Sequence, residues 1–86
     1  MARVNVILLG VYRLDTGLHE LELEGEKVKD LYPQLVEKAH ELNPESPIKR
    51  GDLDGCIVLI NGKQSRKGSK LADGDTVYLM PPVCGG

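Results

Sequence analysis

Apolar and polar residues alternate at both ends of the chain and change period in the middle. Val4, Val6 and Leu8 share one parity against Arg3, Asn5 and Ile7, the period-2 signature of a strand over about residues 3–9. A polar stretch through Arg13-Leu14-Asp15-Thr16-Gly17 reads as a turn. Alternation then resumes over His19–Glu24, with Leu21 and Leu23 turned inward and the glutamates toward water. Two strands joined by a short, glycine-containing link predict an antiparallel hairpin, with His19 at its rim as a structural or solvent-edge residue rather than a catalytic one. From Val28 the spacing becomes helical: Val28, Leu31, Leu35, Ala39 and Leu42 form a stripe, with Lys29, Glu37, Lys38 and Glu41 mostly opposite. A proline inside a helix forfeits a hydrogen bond at about 3 kcal/mol. Asp30 as N-cap puts Pro33 in the first turn, where no intrahelical donor is needed. The helix is therefore predicted over about 30–42, stopped by Asn43-Pro44.

Residues 44–55 carry two prolines, two glycines and several charges and read as a turn region. Cys56-Ile57-Val58-Leu59-Ile60 follows as a nearly continuous apolar strand, with Cys56 as a small core residue. Asn61-Gly62 signals a tight hairpin into a short polar segment, Lys63–Ser65. The basic run Arg66-Lys67-Gly68-Ser69-Lys70 reads as a solvated loop, Asp73-Gly74-Asp75 as a turn, and Thr76–Met80 as the last strand. One helix against one face of a mixed sheet is an α+β architecture. The strongly apolar first and last strands belong side by side at its centre.

Composition narrows the function. The 86 residues allow one domain, with no room for separate cofactor and substrate domains. Three Tyr, with no Phe or Trp, mean a core of Val, Leu and Ile. A net charge of -2 argues against a nucleic-acid binder that tracks phosphates, and so few aromatic rings argue against base stacking. The apolar run in MARVNVILLG is too short to span a bilayer or to form a signal peptide, so no membrane association and a cytoplasmic location are expected. Cys56 and Cys84 are too few for a disulfide framework, and neither His19 nor His40 stands at metal-ligand spacing from a cysteine, so no metal is expected.

Catalytic constellations are absent: no nucleophile elbow, phosphate-cradling loop or dinucleotide fingerprint occurs. Asp52, Asp54, Asp73 and Asp75 lie beside glycines and read as turn residues rather than as an acid–base pair. The tail is different. After Met80 the chain reads Pro81-Pro82-Val83-Cys84-Gly85-Gly86. Two prolines end the strand and keep the segment extended. From Val83 four residues reach roughly 13–14 Å, and the last two pass where any Cβ would be blocked. A terminal carboxylate, with a reference pKa of about 3.5, is ionised at neutral pH and available as a nucleophile toward phosphorus.

The block Leu71-Ala72-Asp73-Gly74-Asp75-Thr76-Val77-Tyr78-Leu79-Met80-Pro81-Pro82-Val83-Cys84-Gly85-Gly86 resembles the end of the ubiquitin-like sulfur carriers, and among them most the small subunits of molybdopterin synthase. Val58-Leu59-Ile60-Asn61-Gly62 and the element order match as well, so the resemblance covers essentially the whole chain. It implies a β-grasp (ubiquitin-like) domain over 1–80, with a mixed sheet of four to five strands and one main helix on one face, followed by a flexible tail, 81–86. It further implies a carrier rather than an enzyme. An ATP-dependent adenylating enzyme activates the carboxylate of Gly86, and a sulfur donor protein displaces AMP to leave a thiocarboxylate. The larger catalytic subunit of molybdopterin synthase then takes up the tail. By the same resemblance no bound cofactor is expected, ATP being consumed by the activating partner. Pro81-Pro82-Val83 favours this pathway over the thiamine carrier, which usually lacks the double proline. The alternatives are a carrier for thiamine thiazole or cysteine synthesis, or a protein modifier joined to lysines through Gly86.

Two further expectations concern recognition. If Val4, Val6 and Leu8 face the helix, Ile7 and Leu9 point to the opposite side, joined by Tyr78 and Met80. Such an uncovered apolar patch fits a partner interface, with burial by loops or by a second copy as the alternative. Cys84 departs from the small or polar residue usual in the family. No cation adjoins it in sequence, so it reads as an ordinary exposed thiol.

Overall fold

The structure is a computed structural model that describes residues 2–81. The chain runs β1 (Ala2–Leu8), α1 (Val11–Thr16), β2 (Glu20–Gly25), a 3-10 turn (Val28–Asp30), α2 (Leu31–Leu42), α3 (Arg50–Asp54), β3 (Ile57–Ile60), β4 (Lys63–Ser65) and β5 (Thr76–Met80). The strands form one five-stranded mixed sheet in the order β2-β1-β5-β3-β4. The first and last strands, β1 and β5, are parallel neighbours at its centre, and the remaining pairs are antiparallel.

The core lies between one face of this sheet and α2. Val4, Val6 and Leu8 of β1, Leu23 of β2, Val58 of β3 and Val77 and Leu79 of β5 are buried against Val28, Leu31, Leu35 and Ala39. Each such side chain contributes about 1.5–3 kcal/mol by leaving water, and together they fix the register. A slip of one residue along β1 would expose all three of its core residues at once. Gln34 ties the helix to the sheet edge, its Nε2 donating to the carbonyl oxygens of Glu24 (2.7 Å) and Asp30 (2.9 Å).

The local chemistry explains most boundaries. Pro33 sits in the first turn of α2, after Asp30 at the cap position. The Asp30 carboxylate does not cap α2, however. It turns back to accept from the backbone N–H groups of Glu26 (3.1 Å) and Lys27 (2.9 Å), closing the 3-10 turn that precedes the helix. Asn61 and Gly62 both adopt positive φ (52° and 86°), the geometry of the two-residue hairpin between β3 and β4.

Three expectations are corrected. Residues 13–17 are not a turn: α1 occupies Val11–Thr16. Tyr12 and Thr16, one helical turn apart, are both buried, and the Thr16 Oγ1 hydroxyl donates to the Tyr12 carbonyl (2.6 Å). Gly17, at φ 73°, then ends the helix in a left-handed conformation. The link between the first two strands is thus a helical excursion rather than a tight hairpin turn. Residues 44–55 likewise contain α3, anchored by Leu53 and by the preceding Ile48, both fully buried. Tyr12 joins the two short helices by donating its hydroxyl to the Asp52 carbonyl (2.6 Å). Leu42 is no core residue but 62% exposed: the buried residues of α2 end at Ala39, about one turn before the helix stops.

Candidate functional site

The face of the sheet away from α2 carries the second apolar surface. Along β5 the parity is clean: Val77 and Leu79 are buried inward, whereas Tyr78 and Met80 are half-buried on the opposite face. The register aligns their neighbours. Ile7 on β1 and Leu59 on β3 flank Tyr78, and Ile57 on β3 lies beside Met80. Leu9 extends the same ladder, its N–H donating to the Leu79 carbonyl (3.0 Å). Two rows result, Ile7-Tyr78-Leu59 and Leu9-Met80-Ile57, none of whose members is fully buried. Polar residues bound the first row on both sides, Glu20 on β2 and Gln64 on β4.

Ile7, Leu9, Tyr78 and Met80, singled out from sequence parity, are therefore brought together. Ile57 and Leu59 were missed. Cys56–Ile60 reads as continuously apolar, so alternation assigns no face, but that continuity is itself the mark of a strand with apolar neighbours on both sides.

The rows end where β5 leaves the sheet. Pro81 is half-buried beside Gly10, where an added Cβ would lie 3.2 Å from the proline Cδ and Cγ. Gly10 holds φ 62° and ψ -139°, a conformation essentially reserved for glycine, and so lets α1 begin directly beside the departing chain. Pro82, Val83, Cys84, Gly85 and Gly86 lie outside the described residues.

The four aspartates read from sequence as turn residues are held in local hydrogen bonds and one ion pair. Asp75 accepts from the Ala72 N–H (2.9 Å) and from Asn61 Nδ2 (2.8 Å), and Asp73 accepts from the Arg3 N–H (2.8 Å). Together with the Asn5 N–H donating to the Asp75 carbonyl (2.9 Å), these bonds fasten the turn before β5 to β1. Asp52 accepts from the Lys49 N–H (3.0 Å), and Asp54 pairs with Lys67 at 3.3 Å. His19 and His40 are both exposed. Cys56 sits one residue before β3, half-buried, and shares a hydrogen bond with the Tyr32 hydroxyl at 3.3 Å. Burial pushes the Cys56 thiol up, with the Tyr32 hydrogen bond opposing in part. Burial and the bond to Cys56 likewise raise Tyr32 well above the ordinary phenol range. A thiol kept protonated is a poor nucleophile. Among the described residues no three His, Cys, Asp or Glu side chains gather as a metal site, and no helix is long and apolar enough to cross a membrane.

A mixed sheet with parallel first and last strands at its centre and one long helix across a face defines a small β-grasp, ubiquitin-like protein. The model of the ThiS family matches residues 6–86, and the chain belongs to that family of ubiquitin-like sulfur carriers. Solved structures agree. The small archaeal modifier protein 1 from Methanosarcina acetivorans is 34% identical with a TM-score of 0.71, over 100% of this chain and 98% of its own. A protein described as molybdopterin converting factor subunit 1 from Pyrococcus furiosus is 27% identical with a TM-score of 0.67, over 96% and 100%. The third is a complex of subunits 1 and 2 of molybdopterin-converting factor from Helicobacter pylori. Its matching chain is 26% identical with a TM-score of 0.58, over 98% of this chain and 99% of that one. No match was found among curated proteins.

Proposed function

We propose that this protein is a non-catalytic sulfur carrier whose Gly86 carboxylate is adenylated, converted to a thiocarboxylate, and spent in molybdopterin synthesis. The observation that carries this reading is the apolar face Ile7-Tyr78-Leu59 and Leu9-Met80-Ile57, which runs directly into Pro81 and the Pro82-Val83-Cys84-Gly85-Gly86 sequence. A partner docked on that face stands where the tail must enter it. The division of labour follows from size and chemistry. A carboxylate oxygen is a poor leaving group until ATP converts it to an acyl-adenylate. The described residues offer turn aspartates, exposed histidines and a protonated thiol rather than a phosphate site.

In this scheme the domain over 1–80 supplies the docking face and 81–86 the delivery arm. The adenylating enzyme binds ATP, a sulfur donor displaces AMP, and a larger catalytic subunit receives the sulfur. The Helicobacter complex of subunits 1 and 2 supports a partner of that last kind. Pro81-Pro82-Val83 favours the molybdopterin pathway over thiazole or cysteine synthesis. The likeness to a small archaeal modifier protein favours a second reading, in which Gly86 is joined to lysines of other proteins.

The test is ATP–pyrophosphate exchange by the adenylating enzyme of the same host. Exchange that depends on this chain and disappears when Gly85 and Gly86 are deleted is expected. Undiminished exchange with the shortened chain overturns the proposal.

A further inference from the structure

The helix α1 exposes two apolar residues at the end of the sheet from which the tail departs. Tyr12 and Thr16 fill its inward face, and on the opposite face Leu14 is 81% exposed and Val11 45%. Val11 and Leu14 are three apart and hence adjacent on the helix surface. The helix starts at Gly10, which is in contact range of the Pro81 ring.

The reach of the chain says what must come near them. Five residues follow Pro81, spanning at most about 18 Å when fully extended. An enzyme that holds Gly86 at its reacting centre therefore brings its own surface within that distance of Pro81. Six helical residues are about 9 Å long, so Val11 and Leu14 lie well inside the same radius. Val11 and Leu14 are the apolar residues exposed there, a ridge on a helical surface otherwise carrying Arg13 and Asp15.

From this the geometry points to α1 as a second docking element: Val11 and Leu14 seat against an apolar patch on the adenylating enzyme that receives Gly86. The inference rests on the carrier reading above but adds a contact outside the sheet face. It concerns the activation step, which the sulfur carrier and the protein modifier share, so it does not depend on the downstream pathway. Gly10 couples the two elements. By letting α1 begin against Pro81, it presents the ridge and the tail base as one surface.

The experiment uses the full-length chain and the host's adenylating enzyme in pyrophosphate exchange, with Leu14→Gln, Leu14→Met and wild type compared. Glutamine keeps helix propensity and size but is polar; methionine keeps the apolar contact. The expected result is an apparent KM for the carrier raised about tenfold by Leu14→Gln, with kcat within about twofold and unchanged melting temperature, and near wild-type behaviour for Leu14→Met. A KM for Leu14→Gln within about twofold of wild type overturns the inference. So does a wild-type dimer in sedimentation that Leu14→Gln converts to monomer, because the ridge would then be covered by a second copy. Failure of the wild type itself to support exchange removes the carrier reading and this inference together. Exchange by wild type with an unaffected Leu14→Gln removes only the docking role of α1.

Discussion

Gly10→Ala is expected to destabilise the protein at the point where α1 and the tail base meet. Two costs act together. The backbone at φ 62°, ψ -139° is one that L side chains avoid, at about 1–3 kcal/mol for a residue forced to hold it. The new Cβ would also stand 3.2 Å from Cδ and Cγ of Pro81, and a proline ring has no rotamer by which to retreat. For a domain of this size each kcal/mol moves the melting temperature by about 4–8 °C, so a loss of about 4–24 °C is expected. Thermal unfolding followed by circular dichroism reads it directly. Gly51→Ala is the matched control: its added Cβ would meet nothing within 4 Å, and it lies inside α3. That substitution should leave stability unchanged or raise it by up to about 1 kcal/mol through helix propensity. If Gly10→Ala melts within about 2 °C of wild type, the strained junction described for the tail base is wrong.

Three further outcomes follow from the core and its titrating groups. Leu53→Ala removes the fully buried anchor of α3 and should cost about 2–5 kcal/mol in urea unfolding; a loss of under about 1 kcal/mol would return residues 50–54 to surface loop. Burial holds the Tyr12 hydroxyl up to about 12, with Cys56 and Asp52 adding to the shift. The protonated phenol is the form the fold favours, so its contribution is complete below the unfolded value near 10 and is lost as pH rises from there toward 12. Melting temperature should accordingly fall across that window and fall less in Tyr12→Phe; parallel slopes for the two proteins would contradict the assignment. Because burial raises the Cys56 thiol, a Cys84→Ser chain should react with iodoacetamide at pH 7.5 far more slowly when folded than in urea, and equal rates would place the thiol in water.

What the sequence reveals here depends on the length of each pattern. The β1 and β5 alternations and the Val28–Ala39 stripe each place several residues on one face, so their elements and burial are readable without coordinates. Asn61-Gly62 is readable for another reason, since few residue pairs accept two positive φ values in succession. Helices α1 and α3 are too short for periodicity to register. Tyr12 and Thr16 are one turn apart, Leu53 stands almost alone, and only tertiary contacts such as Tyr12 to the Asp52 carbonyl reveal them. The Asp30 carboxylate illustrates a different gap. Its position as a cap is visible in sequence, but whether it serves the helix ahead or the turn behind depends on the Lys27 backbone, which no local pattern specifies. On the outer face, parity finds Ile7, Leu9, Tyr78 and Met80 but not Ile57 and Leu59, whose strand does not alternate. The approach of Gly10 to Pro81 at the start of α1 is hidden by the same shortness that hides the helix.

The central claim is that Gly86 carries the reactive group, and intact-mass measurement of the protein recovered from its native host tests it most directly. A fraction of the chain is expected to be heavier by the difference between one sulfur and one oxygen atom, with the added mass confined to a C-terminal fragment containing Gly86. A population of unmodified chains alone, combined with full biological activity of a chain lacking Gly85 and Gly86, would contradict it.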